Sequence, residues 1–148
     1  MGDLNRGEII VTFPSGLEYV HMATTVASNA AFIAGFDKAV AGKVAVATDE
    51  AVTNVIKHAY GLQPNHRITL KAEITPESLT LKVVHTGKAL TNEEVKLPDM
   101  QKYIENRRKG GLGLYIIKQF MDEVDYMVGK EHCCQMTKYR NLDKTSAP

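Results

Sequence analysis

One change of hydrophobic rhythm constrains the fold of this chain more than any other feature. Val44, Ala47, Ala51, Val55 and Ala59 recur at three- and four-residue spacing, the pattern of a helix with one buried stripe. From Ile68 the rhythm becomes alternation: Ile68, Leu70, Ala72 and Ile74 are separated by single polar or charged residues, so a strand would turn them all to one face. Between the two patterns, Gly61 and Pro64-Asn65 stop the helix and turn the chain. A striped helix and a one-faced strand both bury their apolar surfaces when the helix lies on the sheet.

The remaining segments extend that scheme. Gly7 to Phe13 reads as a first strand, stopped by Pro14-Ser15-Gly16. Ser15 is expected to cap a helix running to about Ala34, with Glu18 as capping-box partner. Leu17, Val20, Met22, Thr24 and Ala27 form no clean stripe in it, and Gly35 ends it. The second helix is expected from about Phe36–Lys38 to Tyr60. Arg67 to Ile74 and Ser78 to Val84 form a hairpin around Thr75-Pro76-Glu77. Thr86 to about Gly111 is polar and irregular, with a weak helix from Met100 to Arg107; long irregular segments in compact domains are commonly functional. Leu112 to Met121 reads as a helix opening directly after glycines. Glu123 to Val128 and His132 to Tyr139 read as a closing hairpin turned at Gly129-Lys130, and the tail after Arg140 as frayed. This order predicts an α+β fold: a two-layer α/β sandwich with a mixed, mostly antiparallel sheet and helices on one face. All 148 residues are expected in one domain, with the core spanning about 7–140.

Composition excludes several classes. A net charge of +1 and the absence of Trp argue against a general nucleic-acid binder. No apolar run approaches the roughly 20 residues of a membrane span. The start lacks the basic-then-apolar order of a secretory peptide, and Arg6 stands where myristoylation of Gly2 wants Ser or Thr. Cys133 and Cys134 are neighbours that a strand would point to opposite faces, so a disulfide between them would be strained. They read as reduced thiols of a cytoplasmic protein.

Two constellations carry chemistry. Glu50, Asn54 and His58 are four residues apart and share a face of the second helix, with Lys57 beside them. A carboxylate and a carboxamide at the edge of a core suit a proton acceptor and a divalent cation such as Mg²⁺, which takes oxygen ligands, few of them from protein. On spacing alone, a solvated polar row accounts for the same residues. The second constellation is Arg107-Arg108-Lys109-Gly110-Gly111-Leu112-Gly113-Leu114. Glycines let backbone approach a ligand, and the amides opening a helix face an anion. No Gly-Lys-Ser/Thr follows, and no strand–helix–strand unit surrounds it, so it is neither a Walker loop nor a dinucleotide fingerprint. Alone, it reads equally as a hinge.

Together the two motifs, in this order in one small α+β domain, resemble the GHKL (Bergerat-fold) ATPases. DEAVTNVIKHAYG and GGLGLYIIKQFMDEV resemble the anti-sigma-factor serine kinases of the RsbW and SpoIIAB type, and Met136-Thr137-Lys138-Tyr139 is similar to their last strand. The likeness runs from Ile9 to Tyr139. It implies ATP and Mg²⁺ as cofactors, with Asn54 as metal ligand and Glu50 as general base toward a protein Ser or Thr hydroxyl. It implies that Gly111, Leu112, Gly113 and Leu114 cradle phosphate and that Gly110 is a hinge. Gly87 would let the adenine ring lie close, Thr86 to Arg108 would form the ATP lid, and Arg107 or Arg108 would meet the γ-phosphate. Lys57 and His58 complete the nucleotide-facing set. The implied partners are a STAS-domain anti-anti-sigma protein, a sigma factor and a second copy in a homodimer, with no direct nucleic acid and no membrane.

The chain departs from that pattern at one position above all. The family places an Asp two residues before the lid glycine, where it accepts a hydrogen bond from the adenine amino group; here the residue is His85. His132 falls where relatives often carry a small hydroxyl. A neutral imidazole has a single acceptor nitrogen and a protonated one has none. Three readings follow: a kinase that binds ATP weakly, a binding module of the same fold that has lost the nucleotide, or a site for a different base. Two histidines without a third ligand make a poor metal site. His21 and His66 read as ordinary surface or core-edge residues.

Overall fold

A computed structural model describes residues 6–90 and 112–140. Strand β1 (Gly7–Pro14) leads through a short 3₁₀ turn at Leu17–Tyr19 into helix α1 (Val20–Ile33). Helix α2 (Lys38–Asn54) follows and widens into a π-turn at Val55–Ala59. Strands β2 (Arg67–Ile74) and β3 (Ser78–His85), helix α3 (Leu112–Phe120), and strands β4 (Glu123–Met127) and β5 (His132–Tyr139) complete the described chain. The expected helix at Met100–Arg107 and the tail after Arg140 lie outside the described residues.

The five strands form one sheet in the order β1-β2-β3-β5-β4. Every pairing among the described residues is antiparallel, so the sheet is not mixed as expected. Short turns join β2 to β3 and β4 to β5, and such connections allow only antiparallel neighbours.

The alternation on β2 is realised in full. Ile68, Leu70, Ala72 and Ile74 are buried, as are Leu79, Leu81 and Val83 on β3 and Cys134 and Met136 on β5. The register places Leu70 opposite Val83, Ala72 opposite Leu81, and Leu81 opposite Met136, so these residues make one continuous apolar face. Helices α1 and α2 cover it. Lys71, Glu73, Lys82 and Gln135 occupy the other face, where Lys82 pairs with Glu73 at 2.7 Å.

The stripe of α1 was hidden by its smallness. Val20, Ala23, Ala27, Ala30, Ala31 and Ala34 are buried and recur at helical spacing, and their small side chains let α1 lie close against α2. Gly35, at φ +93°, ends the helix: its N–H meets the Phe32 carbonyl at 3.0 Å, and the Phe36 N–H meets that of Ala31 at 3.0 Å. Asp37 then caps α2 by accepting the Val40 N–H at 2.9 Å.

Ser15 does not cap α1. It is fully buried; its hydroxyl donates to the Gln63 carbonyl at 2.6 Å and accepts the His66 N–H at 3.1 Å. Its own N–H donates to the His66 carbonyl at 2.8 Å. The end of β1 thus holds the turn before β2, a long-range use that outcompetes the local cap.

Candidate functional site

The candidate site is built on the C-terminal half of α2, which packs against α3. Asn54 closes the α-helical part of α2 beside the buried Ala51 and Val55. It is only 6% exposed, and its amide Nδ2 has no hydrogen-bond partner among the described residues. A buried polar group without a partner is costly and calls for an explanation. An oxygen-rich ligand supplies one, so the carboxamide fits a metal–phosphate group. Glu50, one turn earlier, is half-buried. Burial chiefly, and then the neighbouring Asp49 carboxylate, raises its pKa above the ordinary carboxylate value, while Lys57 pulls the other way. That makes Glu50 a stronger proton acceptor than a solvated carboxylate.

Beyond Asn54 the helix changes pitch. The Tyr60 N–H reaches back five residues to the Val55 carbonyl at 3.0 Å, and the widened turn breaks the four-residue register. His58 therefore does not continue the row of Glu50 and Asn54, and both Lys57 and His58 are exposed.

Helix α3 opens at Leu112, immediately after Gly110-Gly111, and the backbone from Leu112 through Gly113 and Leu114 is helical. Ile117 is fully buried and anchors it. At its far end Lys138 donates to the Phe120 carbonyl at 3.1 Å, a cation placed where the helix dipole favours one. Arg107, Arg108, Gly110 and Gly111 lie outside the described residues.

The chain leaving β3 is pressed onto the π-turn. A Cβ on Gly87 would stand 2.5 Å from the Ala59 carbonyl oxygen, and the Lys88 N–H donates to that oxygen at 2.9 Å. Tyr60 holds the same junction: its hydroxyl accepts the Thr86 N–H and donates to the Arg67 carbonyl, both at 2.9 Å. Its ring stacks on His66 at 4.5 Å and meets His85 edge-on at 5.9 Å. Neither Tyr60 nor His66 stood out in the sequence, because the contacts that give them roles come from distant segments.

His85 ends β3 on the core face, 3% exposed. The register sets it directly opposite His132, with ring centroids 5.5 Å apart. Its Nδ1 accepts the Gly87 N–H at 3.2 Å. Burial first, and the second imidazole next, push its pKa down to about 4, so the ring is neutral at pH 7. No group of three or more His, Cys, Asp or Glu able to hold a metal occurs among the described residues. Cys134 is buried and its thiol pushed up to about 12, mainly by that burial; Cys133 is half-buried on the opposite sheet face, and both are free. A cavity of about 430 Å³ opens between the end of β1 and the start of β2, lined by Thr12, Phe13, Pro14, Pro64, Asn65, His66 and Arg67. None of the residues expected at the site lines it. Among the described residues no helix is long and apolar enough to cross a membrane.

Comparison with known proteins shows the family. The family model described as histidine kinase-like ATPase domain matches residues 13–138. The serine-protein kinase RsbW of Listeria monocytogenes serovar 1/2a is 31% identical over 138 residues, covering 90% of this chain and 88% of that protein. The serine-protein kinase RsbW of Staphylococcus aureus strain RF122 is 33% identical over 133 residues, covering 85% and 82%. Among solved structures, the RsbU and RsbW domains of a Mycobacterium tuberculosis protein superpose with a TM-score of 0.63 at 14% identity, covering 90% of this chain and 33% of that one. The SiaB–SiaC complex of Pseudomonas aeruginosa gives 0.58 at 11%, covering 93% and 90%. The one-faced sheet, the Glu50–Asn54 helix and the glycine-led α3 thus sit in a chain that belongs to the histidine kinase-like ATPase domain family, in the group of the RsbW serine-protein kinases.

Proposed function

We propose that this chain is a protein serine/threonine kinase that uses ATP with Mg²⁺, phosphorylates a STAS-domain anti-anti-sigma protein and sequesters a sigma factor. One observation carries the reading: a buried carboxamide with an unpartnered amide at Asn54, one helical turn after a carboxylate whose proton affinity is raised by burial at Glu50. Buried polar atoms are nearly always hydrogen-bonded, so an exception calls for an account, and phosphate oxygens would accept from this amide.

Each residue has a role in that reading. Asn54 would hold the cation through its Oδ1, and bound Mg²⁺ would supply charge neutralisation for the phosphates. Glu50 accepts the proton of the attacking Ser or Thr hydroxyl. The backbone of Gly111 to Leu114, opening α3, offers amide N–H groups to phosphate oxygens. Gly87, which has no room for a side chain, keeps the floor of the base end flat. Gly110 supplies the hinge, and Arg107 or Arg108 meets the γ-phosphate. Lys57, exposed past the π-turn, adds positive charge at the rim, with His58 exposed beside it. The RsbW relatives are named serine-protein kinases, and SiaB was solved in complex with SiaC; both support a kinase with a protein partner. A binding module without chemistry would leave the Glu50–Asn54 pair unexplained.

The direct test is phosphoryl transfer from radiolabelled ATP to a STAS-domain protein from the same genome. Transfer by the native chain and none by Glu50→Gln supports the reading. No transfer to any such protein, with no Mg-nucleotide binding by calorimetry, overturns it.

A further inference from the structure

The cavity of about 430 Å³ between the end of β1 and the start of β2 shares no residue with the Glu50–Asn54 site. Its volume falls in the range of small-molecule sites, about 300–1,000 Å³. Pro14 and Pro64 line it and bring no N–H, so they give apolar walls. Asn65, His66, Arg67 and Thr12 bring the polar groups, and among the described residues that line it none is acidic. The Arg67 side chain is exposed and makes no ion pair among the described residues. A guanidinium fork with free donors matches the two oxygens of a carboxylate or a phosphate.

The walls are fixed by bonds to distant segments. Ser15 holds the turn before β2 through the Gln63 carbonyl and through both backbone groups of His66. The His66 ring lies 4.5 Å from that of Tyr60 and within 3° of parallel, and its Nε2 bonds the Gln63 Oε1 at 3.0 Å. The Tyr60 hydroxyl donates to the Arg67 carbonyl and accepts the Thr86 N–H. Two wall residues of the cavity therefore meet one tyrosine, and the same hydroxyl holds the chain that leaves β3. A preformed wall saves a ligand the cost of ordering it, and a ligand that fixes His66 and Arg67 also fixes the seat of Tyr60.

We propose that this cavity is a second ligand site, for a small molecule bearing a carboxylate or phosphate group held by Arg67, and that its occupation steadies the β3 exit through Tyr60.

The test titrates the native chain with citrate and, separately, with inorganic phosphate, without nucleotide or Mg²⁺, and follows backbone amide NMR signals. Saturable shifts at residues 65–67 are expected, and the probe that saturates at the lower concentration tells a carboxylate ligand from a phosphoryl one. Arg67→Gln keeps the backbone carbonyl that Tyr60 uses and is expected to weaken binding by about tenfold. Amide exchange at residues 86–90 is expected to slow when the probe is bound, and Tyr60→Phe to lose that effect while still binding. Shifts confined to other residues, equal affinity in Arg67→Gln, or no binding of either probe at tens of millimolar overturns the site. Binding with unchanged exchange at 86–90 overturns the relay. Since neither nucleotide nor metal enters these measurements, such a failure leaves the kinase reading standing.

Discussion

The backbone N–H of Lys88 donates to the carbonyl oxygen of Ala59 at 2.9 Å, clamping the chain that leaves β3 onto the π-turn that ends α2. Gly87 lies within the clamp, and a methyl group there would stand 2.5 Å from the same oxygen. Gly87→Ala is therefore expected to force the two segments apart. Overpacking of this kind costs about 1–3 kcal/mol. Urea denaturation should show the loss, and Mg-nucleotide affinity should fall with it.

Tyr60 fastens the clamp from the side. Tyr60→Phe keeps the stacking on His66 but strands the Thr86 N–H and the Arg67 carbonyl. Both bonds are part-buried, so their loss is expected to cost about 1 kcal/mol. Amide hydrogen exchange across residues 86–90 should accelerate, while that of β2 residues 70–74 should change little.

Glu50 separates catalysis from stability. Its pKa is raised in the folded chain, so ionisation is harder there than in the unfolded chain. The resulting destabilisation develops as pH rises above the ordinary carboxylate value. Glu50→Gln is expected to lose about a hundredfold or more in transfer rate with a melting temperature at pH 7 that is equal or higher. A lower melting temperature would contradict this account of the carboxylate.

Asn54 should behave in the same sense toward its ligand. Because its amide has no partner among the described residues, Asn54→Ala removes an unsatisfied polar group and adds a better helix former. The free variant is expected to melt no lower than the native chain. The stabilisation that Mg-nucleotide gives the native chain should vanish in thermal-shift measurements.

His85 makes stability depend on pH. Its folded pKa of about 4 lies below the ordinary 6.5, so the unfolded chain takes up a proton that the folded one refuses. Stability attributable to this ring is present above pH 6.5, is lost as pH falls toward 4, and then levels off. The full difference amounts to about 3 kcal/mol. Denaturation curves between pH 7.5 and 4 should show the decline, and His85→Asn should flatten it.

Much of the fold was legible in the chain itself. The alternation at Ile68–Ile74 and the stripe from Val44 to Val55 both end on the buried side, and Gly35 ends α1 where expected. The stripe of α1 was not legible, since alanine carries too weak a hydropathy signal to stand out from its polar neighbours. Ser15 was misread because a serine after a strand is a good local cap, and nothing local announces that Gln63 and His66 will claim its hydroxyl. The π-turn was equally silent: Val55 to Ala59 keeps a helical pattern, and the widening shows only in the bond from Tyr60 to Val55.

Local order set what each segment of this chain is: periodicity chose helix or strand, and glycine and proline chose the stops, because both act through neighbouring residues. The same local reading supplied the candidate chemistry at Glu50 and Asn54, one turn apart on a helix. Pairing belonged to the tertiary structure. The antiparallel register of β3 and β5 brought His132 across from His85, and the bond from the Lys88 N–H to the Ala59 carbonyl brought the β3 exit onto the π-turn. Long-range backbone hydrogen bonds decide such meetings, and no short stretch of sequence contains them.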